Sequence, residues 1–273
     1  MSTNLGPGLH VAPGRPVDTA AYDRWIGRWS RLFVPKLLEA AEVRPNCRVL
    51  DISTGTGEAA SMALSIVGTS GLVFGADISP AMVEAARHRL NDRSFWPVTA
   101  DGQKLAFRDG SFDAVICQLG LQFFPDPALG LKEFGRVLRV GGCAAVCVIS
   151  TPDRAPMWGI LADVLSRFVP EQRHTINLSF ALADPIRLEG SLANAGFRDI
   201  RVQLEKREDV VESFDDYWEA IETRTGSLPQ IYLTLSEADR RAVHAEVRER
   251  LLQFESNGRL FMGVEMLIGR GRA

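Results

Sequence analysis

One stretch limits the folds open to this chain more than any other. Residues Val49-Leu50-Asp51-Ile52-Ser53-Thr54-Gly55-Thr56-Gly57-Glu58 pass from an apolar run through an acid into a glycine-rich turn, and the helix-like segment 58–67 follows. The pattern predicts a strand, a tight loop and a helix N-terminus. Glycine has no Cβ, so Gly55 and Gly57 let a ligand lie against bare backbone. A helix start offers unpaired N–H groups and the positive end of its dipole. A nucleotide-like ligand is the expected occupant.

The same alternation continues downstream. Strands are expected at 47–52, 72–76, 95–99, 112–118 and 143–149, with helices at 58–67, 80–90 and 127–138 between them. Ser79-Pro80 and Asp126-Pro127 are helix starts, each a capping side chain before a proline at the first helical position. Pro97 removes a ladder donor, so 95–99 is expected at a sheet edge. Gly141-Gly142 reads as a turn into 143–149. Continuous apolar strands separated by helices imply a parallel sheet covered on both faces. Upstream, 20–41 has helical apolar spacing that Pro35 should kink or interrupt. Downstream, helices are expected at 158–168, 184–195 and 214–255, the last broken near Gly226 and Pro229, and strands at 200–204 and 260–268. No internal repeat is visible.

Composition removes several classes of function. The 273 residues carry a net charge of −3 with a sequence pI of about 5.9, so no basic excess points to nucleic acid or to a membrane surface. No apolar run approaches the roughly 20 residues that span a bilayer, and a cytoplasmic location is expected. Residues 1–17, with several Gly and Pro, read as a flexible arm, and 18–273 as a single domain. Cys47, Cys117, Cys143 and Cys147 lie in or beside apolar runs without ligand spacing, as small buried hydrophobes do; a metal or metalloid role is the alternative. No metal site is expected.

Gly55-Thr56-Gly57-Glu58-Ala59-Ala60 also fits the dinucleotide pattern GxGxxA, and Asp77 follows about 20 residues on, so an NAD(P)-dependent oxidoreductase is a rival reading. Other residues shift the balance. Asp51 precedes the loop as acid-x-small-x-Gly-x-Gly. The stretches Gly75-Ala76-Asp77-Ile78-Ser79-Pro80-Ala81-Met82, Ala100-Asp101-Gly102-Gln103, Ser111-Phe112-Asp113-Ala114-Val115, Phe124-Pro125-Asp126-Pro127 and Arg136-Val137-Leu138-Arg139-Val140-Gly141-Gly142 follow in order. Over residues 47–149 the chain resembles class I S-adenosylmethionine (SAM) methyltransferases. It is most similar to the small-molecule enzymes of ubiquinone/menaquinone-biosynthesis type; over 184–268 the likeness holds only in outline. Ser53 departs from the pattern by replacing the first motif glycine. The Asp/Asn-Pro-Pro-aromatic motif of nucleic-acid amino-methylating enzymes is absent after Gln118.

The resemblance implies an α/β, Rossmann-like sheet of seven mostly parallel strands, helices on both faces, and a helical cap over the carboxyl ends of the strands. It implies an enzyme that transfers methyl from SAM to a small molecule; a SAM-binding protein without methyl transfer is the further alternative. Cofactor contacts are expected at Tyr22, Trp29, Asp51, Ser53, Gly55, Gly57, Asp77, Ile78, Met82, Asp101, Gly102 and Gln118. A carboxylate can accept two hydrogen bonds from a ribose diol, which suits Asp77; a capping role near Ser79 is the alternative. Asp101 suits the adenine amino group or a plain turn. Ile78 and Met82 suit the faces of the base or an ordinary core. Gln118, Tyr22 and Arg28 suit the amino-acid tail, and Asp51 suits the loop or the tail's ammonium.

No catalytic residue follows from the family. His174 and Tyr22 are the candidates for a base, with Tyr217 and Tyr232 behind them. Segments 151–183 and 207–257 leave strand ends on the ligand side and are the expected acceptor walls. Their residues Trp158, Phe168, Phe180, Trp218 and Phe254 suggest a partly apolar acceptor. No nucleic-acid or membrane partner is expected, and a homo-oligomer is left open.

Overall fold

The computed structural model describes residues 19–222 and 226–273; the arm expected at 1–17 lies outside the described residues. Eight strands form: β1 (Arg48–Ile52), β2 (Leu72–Asp77), β3 (Phe95–Thr99), β4 (Phe112–Gln118), β5 (Leu138–Ile149), β6 (Arg198–Val211), β7 (Glu255–Ser256) and β8 (Arg259–Arg272). Seven of them make one sheet in the order β3-β2-β1-β4-β5-β8-β6, and the two-residue β7 pairs with β8 off that path. β1 to β5 pair in parallel. β8 is antiparallel to both β5 and β6, so β6 points the same way as β5. β3 with Pro97 is an edge strand, as its missing N–H requires.

Alternation along the strands makes two cores. Val49, Ala114, Ile116, Ala145 and Cys147 face one side, packed with Trp25, Trp29, Phe33, Leu37, the helix Glu58–Val67 and the helix Pro156–Phe168. Leu50, Ile52, Val115, Cys117 and Val146 face the other, packed with helices Pro127–Val137 and Pro185–Asn194. Ser79, Asp126 and Asp184 cap their helices, accepting from the backbone N–H of Met82, Leu129 and Ile186. Each offsets a helix-start donor that would otherwise be orphaned.

The first helical stretch is interrupted, at 31–33, and Pro35 sits in the first turn of a new helix Val34–Ala40, where its missing N–H costs nothing. Three local expectations change. β5 runs straight through Gly141-Gly142: its register with β4 jumps from Phe112↔Leu138 to Ala114↔Cys143, so the extra residues bulge and Gly141 takes φ +77°. β6 is far longer than 200–204. As an edge strand paired to β8 along its length it carries charged side chains, and these hide its strand pattern. Its extension to Val211 also means that the wall segment expected from 207 opens as strand; its helices Phe214–Glu222, Ser227–Tyr232 and Glu237–Leu251 start at Phe214, as expected.

Candidate active site at the carboxyl ends of the strands

Strand order reverses between β1 and β4: β1 is followed outward by β2 and β3 on one side and by β4 and β5 on the other. Loops leaving the two central strands diverge there, and a crevice opens beyond the sheet. The backbone bears the strain of that divergence. Ser53 and Leu119, just past the ends of β1 and β4, both take φ +58°, a left-handed conformation costing an L-residue on the order of 1–2 kcal/mol. A Cβ on Gly120 would lie 2.3 Å from Ser53 Oγ, so the two strained turns touch only because Gly120 has none. The family's glycine at position 53 is therefore a conformational requirement that Ser53 meets under strain.

The loop after β1 is tied to the end of β2. Gly55 N–H donates to Asp77 Oδ2 at 2.9 Å, and Ser79 N–H donates to Asp77 Oδ1 at 2.9 Å. Asp77 thus organises both turns while lining the cleft, and burial raises its pKa. Asp51 lies one layer deeper. It is fully buried and accepts from the Thr54 hydroxyl at 2.7 Å. Burial pushes its pKa up to about 7 and the Asp77 charge adds to that, while the Thr54 hydrogen bond opposes it. Gly57 caps the following helix at φ +86°, and a Cβ there would come within 3.0 Å of Leu90 Cδ1. Asp51 and Gly57 therefore shape the loop from behind; neither lines the cleft.

Residues 19–30 form a helical lid containing a π-helical turn, Asp23–Gly27. Asp23 accepts from the Thr56 hydroxyl and pairs with Arg89, which also pairs with Glu58, pinning the lid over the glycine loop. Tyr22 lines the cleft beside Gly55. Burial, together with the charges of Asp77 and Asp23, raises its phenol pKa, so it stays protonated and is a poor base. Arg28 turns away from the cleft and pairs with Asp209 on β6 at 2.9 Å. Trp29, 1% exposed, lines the cleft edge-on to Trp158 at 4.1 Å between ring centroids. Gln118 donates to Ser30 O at 3.1 Å, which leaves its Oε1 buried without a partner.

Ser53, Gly55, Asp77, Ile78, Met82, Asp101, Gly102 and Gln118, with Tyr22 and Trp29, meet in this one cleft. Trp158 and Leu161 on the helix after β5, Ser179, Ile221 and the turn from Gly226 to Pro229 close the far side. Both expected wall segments therefore contribute. Of the aromatic residues expected in the walls only Trp158 reaches the cleft; Trp218 instead packs with Phe214, Tyr232 and His244. His174 is exposed on the short helix Arg173–Asn177 and Tyr217 is buried, donating to Met157 O at 2.7 Å; neither they nor Tyr232 line the cleft. Sequence reasoning missed Leu119, Gln122 and Ser179. For Gln122 the available signal was a glutamine among apolar residues shortly after the strand β4. Among the described residues no cluster of His, Cys, Asp or Glu has the arrangement of a metal site, and no helix is long and apolar enough to cross a membrane.

The cleft suits a SAM-like molecule on grounds of its own: a carboxylate at the end of β2, a backbone cradle at Gly55, and unpartnered buried polar atoms on Trp29 and Gln118. The model of a family described as a methyltransferase domain matches residues 50–146, the stretch from β1 to β5. The ubiquinone/menaquinone biosynthesis C-methyltransferase UbiE of Teredinibacter turnerae is 31% identical over 197 residues, covering 66% of this chain and 78% of that protein. A demethylmenaquinone methyltransferase of Corynebacterium kroppenstedtii is 36% identical over 127 residues, 46% of this chain and 52% of that protein; the chain spans about half the length of several such relatives. A solved structure from Bacillus halodurans, 21% identical, superposes with a TM-score of 0.60 over 88% of this chain and 97% of that one, which shows the shared fold. The chain belongs to the class I SAM-dependent methyltransferases, in the group of the ubiquinone/menaquinone-biosynthesis enzymes. It is an enzyme that transfers a methyl group from SAM to a small-molecule acceptor, and the dinucleotide reading of its glycine loop falls.

Proposed function

We propose that the acceptor is a partly apolar aromatic molecule of quinol type, methylated at carbon. The activities for which the two relatives are named, C-methylation in ubiquinone/menaquinone biosynthesis and methylation of demethylmenaquinone, support this. The observation that carries it is the cleft's far wall, where Trp158, Leu161, Ile149, Ile221 and Leu228 present aromatic and aliphatic surface and, among the described lining residues, there is no cation. Such a wall favours an uncharged ring. Four free cysteines, three of them buried, suit a reducing cytoplasm.

When bound, SAM supplies an electrophilic methyl group on a sulfonium sulfur. Asp77 would hold the ribose diol with the lone pairs left after its two backbone bonds, and Asp101 the adenine amino group. Ile78 and Met82 would cover the base. Gln118 Oε1, an acceptor only, suits the ammonium of the tail, and Trp29 Nε1, a donor only, suits its carboxylate. The ring carbon would take that methyl group, the sulfur keeping the electron pair of the broken bond, and would then lose its proton. Among the described lining residues the carboxylates stand on the cofactor wall and Tyr22 stays protonated, so none of them is assigned as the base for that proton. These residues act by alignment and exclusion of water, which can supply up to roughly 7–11 kcal/mol in ideal cases. Residues 18–273 work as one domain, with 151–183 and the helices after β6 as acceptor walls.

The test is turnover with methyl-labelled SAM against 1,4-naphthoquinol, kept reduced, and a panel of phenols, carboxylates and amines. Product carrying the label on a ring carbon of the quinol is expected. Turnover confined to carboxylates or amines would sink the quinol reading.

A further inference from the structure

Gln122 lies in the 3-10 turn Leu121–Phe123, which follows β4 after two residues. It is 1% exposed, it lines the cleft, and neither its Nε2 nor its Oε1 has a partner. An amide buried with one end unsatisfied is already costly; here both ends are unmet. Its turn packs against Leu178–Phe180 of the first wall segment and against β5, which puts it beside the proposed acceptor wall.

Among the described residues, the other fully buried unpartnered groups in the cleft each offer one sense of hydrogen bond. Gln118 has spent its donor on Ser30 O and keeps an acceptor; Trp29 Nε1 can only donate. Gln122, of these buried groups, retains both. A group that donates and accepts at once matches a hydroxyl, which has one O–H and free lone pairs. A charged tail would be served better by the one-sided groups, and an apolar ring would be served better by leucine.

We infer that Gln122 is the residue that selects the acceptor, its unpaired buried amide donating to and accepting from one hydroxyl on an otherwise apolar ring. It is a positioning residue: a neutral amide cannot remove the hydroxyl proton, but it can turn the ring so that one atom faces the methyl group. The inference rests on the methyl-transfer reading only for which wall of the cleft the acceptor uses.

The test compares 1-naphthol with 1-methylnaphthalene, which differ by a hydroxyl in place of a methyl group. Both are titrated into the full chain loaded with S-adenosylhomocysteine, as wild type and as Gln122→Leu, with thermal unfolding of each protein alongside. Wild type should bind the naphthol at least tenfold tighter. Gln122→Leu should erase that preference, bind methylnaphthalene as well or better, and melt no lower than wild type, because an unpaired amide has gone. Gln122→Asn, which keeps the amide on a shorter stem, should restore part of the preference. Equal affinity of wild type for the two probes, or binding of neither, overturns the inference. So does a parallel loss of both in Gln122→Leu with a lower melting temperature, which marks a purely structural glutamine. A hydroxyl preference that depends on Gln122 in a protein that methylates no quinol would sink the acceptor proposed above and leave this inference standing.

Discussion

The two walls of the cleft are made of different material. On the cofactor side, Gly55, Asp77, Ser79 and Asp101 sit within a few residues of a strand end, and their bonds run largely through backbone N–H groups. On the acceptor side, Trp158, Leu161, Ser179, Ile221 and Leu228 come from segments far apart in the chain and contribute mostly side-chain volume. Backbone cradles need particular residues at particular spacings, since only glycine takes some turns freely and only short acids reach the neighbouring N–H groups. A wall of volume can be built by many sequences, because cores tolerate exchange among apolar residues of similar size. The first wall therefore carries motifs and the second does not.

The sharpest way to break this contrast is through pH. Asp51 supports the cofactor wall as a fully buried acid whose pKa is pushed from the ordinary carboxylate range to about 7. The folded state holds its proton more tightly than the unfolded chain does. Its contribution to stability is then fully present below about pH 4 and is lost as pH rises through about 7. Each pH unit across that window is worth about 1.4 kcal/mol. Asp77, also raised by burial, has the same sign, while Glu42 and Glu133, held low by arginines, have the opposite one. Asp51→Asn isolates the Asp51 share: urea unfolding from pH 4.5 to 8 should show the variant gaining on wild type by a few kcal/mol as pH rises. Parallel curves would mean that Asp51 is not a strained acid.

A smaller effect divides the walls by ligand. Asp77→Ala removes the acceptor for Gly55 and Ser79 as well as the proposed ribose contact. Calorimetry should show SAM affinity falling between tenfold and a hundredfold, about 1.4–2.7 kcal/mol. Unchanged affinity would remove Asp77 from the cofactor site. Smallest is the effect of trimming the far wall. Leu161→Ala should raise the acceptor KM threefold to tenfold, about 1 kcal/mol of lost apolar burial, with SAM affinity within twofold of wild type. If SAM binding and acceptor KM change together, the two walls are not separable.

Much of the cofactor wall was legible because its causes are local. The caps at Ser79 and Asp126, the proline at the β3 edge and the glycine loop each declare themselves over three or four residues. Ten of the twelve expected cofactor residues reach the cleft. The two that do not, Asp51 and Gly57, were legible as motif members but not as to depth, since a residue's distance from the ligand depends on what packs over it. Arg28 illustrates the same limit: its position on the lid was foreseen, but its partner Asp209 lies 181 residues away on a strand whose length the charged pattern concealed.

The sequence by itself determined much of the order of strands, loops and helices, because periodicity, capping and glycine turns act over a few residues, and its resemblance to a known family carried the class of cofactor. Only the tertiary structure decided which side chains face the acceptor. Gln122 reads as one polar residue in an apolar stretch until β5 and the Leu178–Phe180 turn close over it. Burial without a partner is a property of that packing, and it turns an ordinary amide into a candidate site of recognition.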